Sequence, residues 1–137
     1  MNPNRNPVGW FEIYVQDMER ARAFYENTFQ FKMETLEAPP GMPITMTAFP
    51  AQGDSGEDEC IHQKPGAPGV LAKMEGKDSG VGGTLVYFSV EDCAVEAARA
   101  GRHGGKVHLP KTPIEPYGFI ALVLDTEGNM FGLHSVK

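Results

Sequence analysis

Two stretches of the sequence, 75 residues apart, share an alternating pattern of apolar and other residues that ends in Val-x-Asp. The first stretch ends at Val15 and Asp17, and the second ends at Val90 and Asp92. Alternation with a period of two is typical of a β-strand. Because Asp is favoured at a helix N-cap, Asp17 marks the change from a strand to a helix, and a helix also follows Asp92. The repeated βα unit predicts a fold built from two related modules.

The predicted first strand of each module has one apolar face and one mixed face. In the first module the apolar face carries Phe11, Ile13 and Val15, and the mixed face carries Trp10, Glu12 and Tyr14. In the second module the apolar face carries Val86, Phe88 and Val90, and the mixed face carries Leu85, Tyr87 and Ser89. A small sheet with one helix cannot cover both of its faces, so we expect each apolar face to lie against its helix. The two mixed faces then oppose each other and enclose a cleft.

Further strands are predicted from alternation and from Gly and Pro punctuation. They lie at 32–38, 44–49 and 70–75 in the first module, and at 106–109, 117–124 and 130–136 in the second. The apolar stripes of the helices are predicted from Met18, Ala21, Phe24, Tyr25 and Phe29, and from Ala94, Val95, Ala97 and Ala98. The order is βαβββ–βαβββ, which predicts one α+β domain with a cupped mixed sheet around the cleft. The modules span about residues 8–76 and 84–136, with a Gly-rich joint at 76–83 and a long surface loop at 51–69.

Composition excludes several classes of function. The formal net charge of −6 argues against a nucleic-acid partner or an anionic membrane. No apolar run approaches the roughly 20 residues that span a bilayer, and residues 1–7 lack the apolar core of a signal peptide. We therefore expect a cytoplasmic protein. Cys60 and Cys93 form no metal-ligand spacing and are expected to be reduced and structural.

The paired βαβββ order, the two Val-x-Asp ends and Phe24-Tyr25 in the first helix resemble the vicinal oxygen chelate superfamily. This superfamily includes glyoxalase I, extradiol dioxygenases and bleomycin-resistance proteins. The C-terminal runs YGFIAL at 117–122, LDTEGN at 124–129 and GLHS at 132–135 look like its glyoxalase-related branch. The resemblance implies the glyoxalase/bleomycin-resistance/dioxygenase fold, a small-molecule ligand and a homodimer. It says less about activity, because one fold hosts many chemistries.

Members of this superfamily hold a divalent metal with His, Gln or Glu side chains on strands one, four, five and eight. Counting from the shared motifs, the resemblance places Trp10, Leu85 and Gly132 at the positions on strands one, five and eight. None of these can bind a metal through its side chain. Strand four has no fixed register within 72–75, where Glu75 is the one usual ligand type. The sequence therefore predicts neither a metal site nor a cofactor.

Glu12 and His134 are the candidate catalytic residues. A carboxylate in a cleft, such as that of Glu12, can have a raised pKa and act as a general base. His134 shares the face of Gly132 and can act as the acid–base partner of Glu12. The alternatives are a solvated strand carboxylate and a hydrogen-bonded edge histidine. The candidate ligand-binding residues, for which a core or turn role is the alternative, are Trp10, Tyr14, Tyr87, Leu85, Gly132 and Tyr117.

Three functions follow from this pattern. The first is a metal-independent acid–base enzyme of the lyase or isomerase type that binds a small, partly apolar molecule. The second is a protein that sequesters or senses such a molecule and does no chemistry on it. The third is a metal-dependent lyase or dioxygenase whose ligands the counting from motifs misses.

Overall fold

The computed structural model describes residues 6–50 and 66–137, which form one mixed sheet of eight strands with two helices. The predicted α+β class and the βαβββ–βαβββ order are confirmed. In the first half, the elements are β1 (Val8–Tyr14), α1 (Met18–Phe29), β2 (Glu34–Leu36), β3 (Ile44–Ala48) and β4 (Gly69–Met74). In the second half, they are β5 (Thr84–Ser89), α2 (Cys93–Arg102), β6 (Lys106–Pro113), β7 (Phe119–Leu124) and β8 (Met130–Ser135).

The chain divides into two compact units. Of the described residues, the first unit contains Phe11–Ala38, 43–50 and 66–84. The second unit contains residues 6–10, Pro39–Met42 and Leu85–Lys137. The division therefore passes through β1, between Trp10 and Phe11.

The first unit contains strands in the order β2-β3-β4-β1, with β1 parallel to β4 and the other pairs antiparallel. The helix α1 begins where the sequence predicts, because the side chain of Asp17 accepts a hydrogen bond from the backbone N–H of Arg20 at 3.0 Å. The hydrophobic side chains most completely buried in this unit are those of Met33, Met46, Val70, Leu71 and Ala72.

The apolar stripe predicted for α1 is partly wrong. Tyr25 packs against Phe49, with ring centroids 5.4 Å apart, and Phe49 in turn packs against Phe11 of β1. Phe24 and Phe29 are instead 61% exposed. Phe24 precedes Tyr25 by one residue and is therefore rotated by about 100° around the helix. Phe29 is the last residue of the helix and lies against the ring of Tyr25.

The second unit repeats the topology of the first, with strands in the order β5-β8-β7-β6 and with β5 parallel to β8. The side chain of Asp92 caps α2 by accepting a hydrogen bond from the backbone N–H of Ala94 at 3.0 Å. The prediction for the buried face of α2 is right for Ala97 and wrong for Ala94, Val95 and Ala98, which are exposed. Cys93 is buried as well, and it shares the face of Ala97 because residues four apart lie on the same side of a helix. The core of this unit consists of Cys93, Ala97, Ala121, Val123 and Leu133.

The strand β6 continues to Pro113 and does not end at residue 109 as predicted. It lies at an edge of the sheet and is interrupted by irregular pairing with β7 between Val107 and Thr112. Proline has no N–H to donate, so it is tolerated on an edge strand, where one side needs no partner.

The two helices have 12 and 10 residues, and no helix in the described ranges is long and apolar enough to cross a membrane. Cys60 and most of the loop predicted at 51–69 lie outside the described residues. Cys93 is a free, buried cysteine.

Candidate functional site

Glu12 and Tyr14 form a buried pair of polar side chains on one face of β1. The phenolic hydroxyl of Tyr14 donates a hydrogen bond to Oε2 of Glu12 at 2.5 Å. Both residues are buried, with 8% of Glu12 and 9% of Tyr14 exposed. Alternation along the strand puts their side chains on the same face, opposite to the ring of Phe11 that packs towards α1. An O–H···O distance this short is typical of a hydrogen bond to an ionised carboxylate.

The neighbouring strand β4 fixes the position of this pair. Glu12 lies opposite Val70 and Tyr14 lies opposite Ala72 in the parallel ladder, and both partners are fully buried. The backbone N–H of Tyr14 also donates to the carbonyl oxygen of Gly83 at 2.7 Å. The carboxylate is therefore held on a strand whose backbone is anchored on either side.

In the second unit, the ring of Tyr87 lies directly over Gly132. The two residues are register partners in the parallel pair β5 and β8. A Cβ atom on Gly132 would lie 2.2 Å from Cδ1 and 2.3 Å from Cε1 of Tyr87. Leu85 and Tyr87 are buried, whereas the adjacent Phe88 packs against the core on the α2 side. Leu85, Tyr87 and Gly132 therefore share the face of the sheet opposite to α2.

His134 is bound to the turn between β6 and β7. Its Nε2 atom lies 2.6 Å from the carbonyl oxygen of Tyr117. Because a carbonyl oxygen only accepts hydrogen bonds, Nε2 carries the proton, and any acid–base role would fall to Nδ1. The side chain of Tyr117 is 45% exposed, and its backbone N–H closes a turn by donating to the carbonyl of Ile114.

The structure thus brings the predicted site residues together in pairs. Glu12 with Tyr14 belongs to the first unit, and the other members belong to the second. There Tyr87 covers Gly132, and His134 is bound to Tyr117. Trp10 is half-buried and Leu85 is buried. The roles of these residues in catalysis or ligand binding stay predictions.

The residues at the counted metal positions do not fit a divalent metal. The indole of Trp10 can only donate a hydrogen bond, and Leu85 has no donor atom. At Gly132, the ring of Tyr87 occupies the space in which a side chain would begin. Glu75 follows the last residue of β4 and is exposed. Among residues 6–50 and 66–137, no group of three or more His, Cys, Asp or Glu side chains could hold a metal ion.

Two aspartates have a pKa below the ordinary value, and both stabilise local backbone structure. The hydrogen bond from Lys111 Nζ, at 2.9 Å, and that from the backbone N–H of Ala94 hold the pKa of Asp92 below 3.8. The backbone and side chain of Asn129 do the same to the pKa of Asp125 in the turn between β7 and β8. Asp92 belongs to a helix cap and Asp125 to a turn, so their ionisation supports the fold.

Glu96 is not among the site residues predicted from the sequence. This residue lines an apolar pocket on the α2 side of the second unit, and its Oε2 atom is buried. The one signal in the sequence is a carboxylate in the first turn of a helix, which is common because it interacts favourably with the helix dipole. The pocket itself depends on residues from β5, β8 and the N-terminal segment and has no local pattern.

A sequence model of the Glyoxalase/Bleomycin resistance protein/Dioxygenase superfamily matches residues 8–133 of the chain. A glyoxylase-like domain-containing protein from Didymella fabae is 32% identical over 131 residues, which cover 89% of this chain and 88% of that protein. The putative glyoxylase CFP32 of Mycobacterium bovis is 27% identical over 124 residues, or 90% of this chain. The chain spans 42% of the length of that mycobacterial relative.

The fold is also similar to that of a methylmalonyl-CoA epimerase from Mycobacterium tuberculosis. The TM-score is 0.62 at 14% identity, and the similarity covers 96% of this chain and 88% of the epimerase. At this identity, the comparison shows the fold alone.

Proposed function

Because the chain belongs to the Glyoxalase/Bleomycin resistance protein/Dioxygenase superfamily, we propose that it acts on a small, partly apolar molecule by metal-independent acid–base chemistry. Glu12 is the proton acceptor in this proposal. The observation that carries it is the buried hydrogen bond, 2.5 Å long, from Tyr14 to the Glu12 carboxylate. The reaction class is that of an isomerase or lyase.

The pair has the parts that proton transfer needs. Glu12 supplies a carboxylate that is largely withdrawn from water, and a low local dielectric strengthens its interaction with a proton or a developing charge. The Tyr14 hydroxyl fixes the orientation of the carboxylate, which keeps the reacting oxygen in one place. A positioned base of this kind contributes roughly 10²- to 10⁴-fold to the rate of a reaction.

The substrate we propose is a compound with an acidic C–H bond next to a carbonyl group. Removing that proton needs one base. Returning a proton to the same carbon from the opposite face gives an epimer, and returning it to a neighbouring atom gives an isomer. The similarity in fold to a methylmalonyl-CoA epimerase supports this class of substrate. His134, through Nδ1, is the proposed second proton-transfer group, and the proposed wall of the ligand site includes Trp10, Tyr14, Leu85, Tyr87, Tyr117 and Gly132.

The test measures exchange of the acidic C–H for deuterium by NMR in D₂O, with methylmalonyl-CoA and a panel of 2-keto acids as probes. We expect Glu12→Gln to lower the exchange rate about 100-fold or more, because Gln keeps the hydrogen bond from Tyr14 but cannot take a proton. Tyr14→Phe should lower the rate less, because the base remains. Glu34→Gln, at an exposed carboxylate of β2, is the matched control. Unchanged exchange in a folded Glu12→Gln protein would contradict the proposal.

Elemental analysis of the purified protein tests the metal-independent part. Zinc, nickel, iron or manganese at one equivalent per chain would contradict it and favour a metal-dependent lyase or dioxygenase. Probe binding without exchange or turnover would favour a sequestering or sensing protein. Light scattering tests the homodimer expected from the resemblance.

A further inference from the structure

The second unit contains an apolar pocket on the side of the sheet that faces α2. Its volume is about 330 Å³, which is within the range of small-molecule sites in proteins. The rings of Phe88 and Phe131 meet there edge to face, with centroids 5.6 Å apart. The pocket is lined by Pro7, Phe88, Val90, Glu96, Phe131 and Leu133.

Two backbone hydrogen bonds connect the segments that line this pocket. The backbone N–H of Ser89 donates to the carbonyl oxygen of Pro7 at 2.8 Å, which fixes the N-terminal segment beside β5. The backbone N–H of Val90 donates to the carbonyl oxygen of His134 at 2.9 Å, which joins β5 to β8. Phe88, Val90 and Phe131 also pack on the core beneath them. Backbone hydrogen bonds and packing on the core therefore hold the pocket walls in place.

Glu96 is the one charged side chain in the lining. Its Oε2 atom is buried, and no described residue donates a hydrogen bond to it. The three ion pairs among the described residues use Glu26, Asp92 and Glu91. Glu96 lies in the first turn of α2, which supplies no donor to this oxygen. A buried carboxylate oxygen without a donor is costly, so this place favours an incoming cation or N–H group.

We propose that this pocket is a binding site for an apolar organic cation, meaning a protonated amine with an aromatic or branched hydrocarbon body. The hydrocarbon body lies between Phe88, Val90 and Phe131, where it leaves water. The ammonium group donates to the carboxylate of Glu96, which is half-buried at the pocket wall. Aromatic faces beside the cation add to its attraction. The site is independent of Glu12 and Tyr14, which belong to the other unit.

The test uses two probes of the same shape, 2-phenylethylamine and 2-phenylethanol, titrated by NMR into the full chain at pH 7. We expect the amine to bind about tenfold more tightly than the alcohol, because the ammonium group adds the attraction between opposite charges to its hydrogen bond with the carboxylate, whereas the hydroxyl group is neutral. Backbone amide signals of Phe88, Val90 and Phe131 should shift as the amine binds. Glu96→Gln should remove the preference for the amine, whereas Glu127→Gln, at an exposed carboxylate, should keep it. Val90→Phe should weaken the binding of both probes by filling the pocket.

Other results overturn the proposal. Equal binding of amine and alcohol by the unmodified chain contradicts the proposal that the ligand is a cation. A folded Glu96→Gln protein that still prefers the amine contradicts the role of Glu96. Signals that shift outside the pocket, or no binding at millimolar amine, contradict the site.

Discussion

Replacing Gly132 by Ala should destabilise the protein, because the ring of Tyr87 occupies the place of the new methyl group. The nearest ring carbon would have to move from 2.2 Å to about 3.5 Å, which is an ordinary carbon–carbon contact. Tyr87 is only 6% exposed, so the ring has little room in which to move. Inserting a methyl group into a packed site of this kind costs about 1–3 kcal/mol. We expect the free energy of unfolding to fall by that amount.

The sign of the effect should reverse when the ring is absent. Gly132 has no positive φ, so the backbone accepts Ala there, and Ala restricts the unfolded chain more than Gly does. In a Tyr87→Ala background, Gly132→Ala should therefore be neutral or stabilise the protein by about 0.4–1 kcal/mol. The coupling free energy between the two positions should be on the order of 1–3 kcal/mol.

The measurement is urea unfolding of the four proteins in this double-mutant cycle, with free energies taken at a common slope. Gly101→Ala is the matched control, because a Cβ at this exposed position of α2 meets no atom within 4 Å. Ala should stabilise that helix by about 1 kcal/mol. If Gly132→Ala left the unfolding free energy unchanged, or if its effect were the same with and without the Tyr87 ring, the proposed contact would be wrong.

Two further predictions concern the helix caps. Asp17→Ala should lower the free energy of unfolding by about 1 kcal/mol, because it removes the acceptor for the backbone N–H of Arg20. Urea unfolding measures this change, with Glu19→Ala at an exposed position as the control. An unchanged urea midpoint for Asp17→Ala would refute the prediction. Folding lowers the pKa of Asp92, chiefly through its hydrogen bond from Lys111, so the ionised carboxylate stabilises the protein above pH 3.8 and this stabilisation is lost as the pH falls through the folded pKa. Asp92→Asn keeps a capping side chain without the charge, so thermal unfolding midpoints of the two proteins should converge below pH 3.8; a constant difference down to acid would contradict the linkage.

The sequence predicted the fold well where the signal is local. Asp17 and Asp92 lie at the changes from strand to helix, and each accepts a hydrogen bond from its own helix. These caps need only a few neighbouring residues, so the sequence pattern contains all the information. The repeat of topology followed from them, with β1 parallel to β4 and β5 parallel to β8.

The prediction failed where packing between distant elements decides which side chains are buried. A helix pattern with several small or aromatic residues allows more than one buried face, and the choice of Cys93 and Ala97 depends on the strands under α2. Phe24 and Phe29 are apolar but exposed, because α1 contacts the sheet through Tyr25. The ring of Tyr87 over Gly132 depends on the register of β5 and β8, which no local pattern specifies.

An aromatic ring over a glycine of the neighbouring parallel strand occurs in both units, but on a different side relative to the helix of each unit. In the first unit, the ring of Phe11 covers Gly69 on the side of α1. In the second unit, the ring of Tyr87 covers Gly132 on the side away from α2. The two halves therefore share their topology and the packing of an aromatic ring over a glycine. The residue types on the face away from the helix differ between them.

This difference favours a function that needs one carboxylate over one that needs ligands from both halves. The 75-residue offset makes Glu12 equivalent to Tyr87 and Trp10 equivalent to Leu85. A chelated metal would need donor atoms from both modules, and the second module offers a leucine and a covered glycine at the counted positions. A general base needs to be present only once, and the first module contains the candidate, Glu12, with its own hydrogen-bond partner, Tyr14. The asymmetry of the repeat is thus the reason to test Glu12 before any metal.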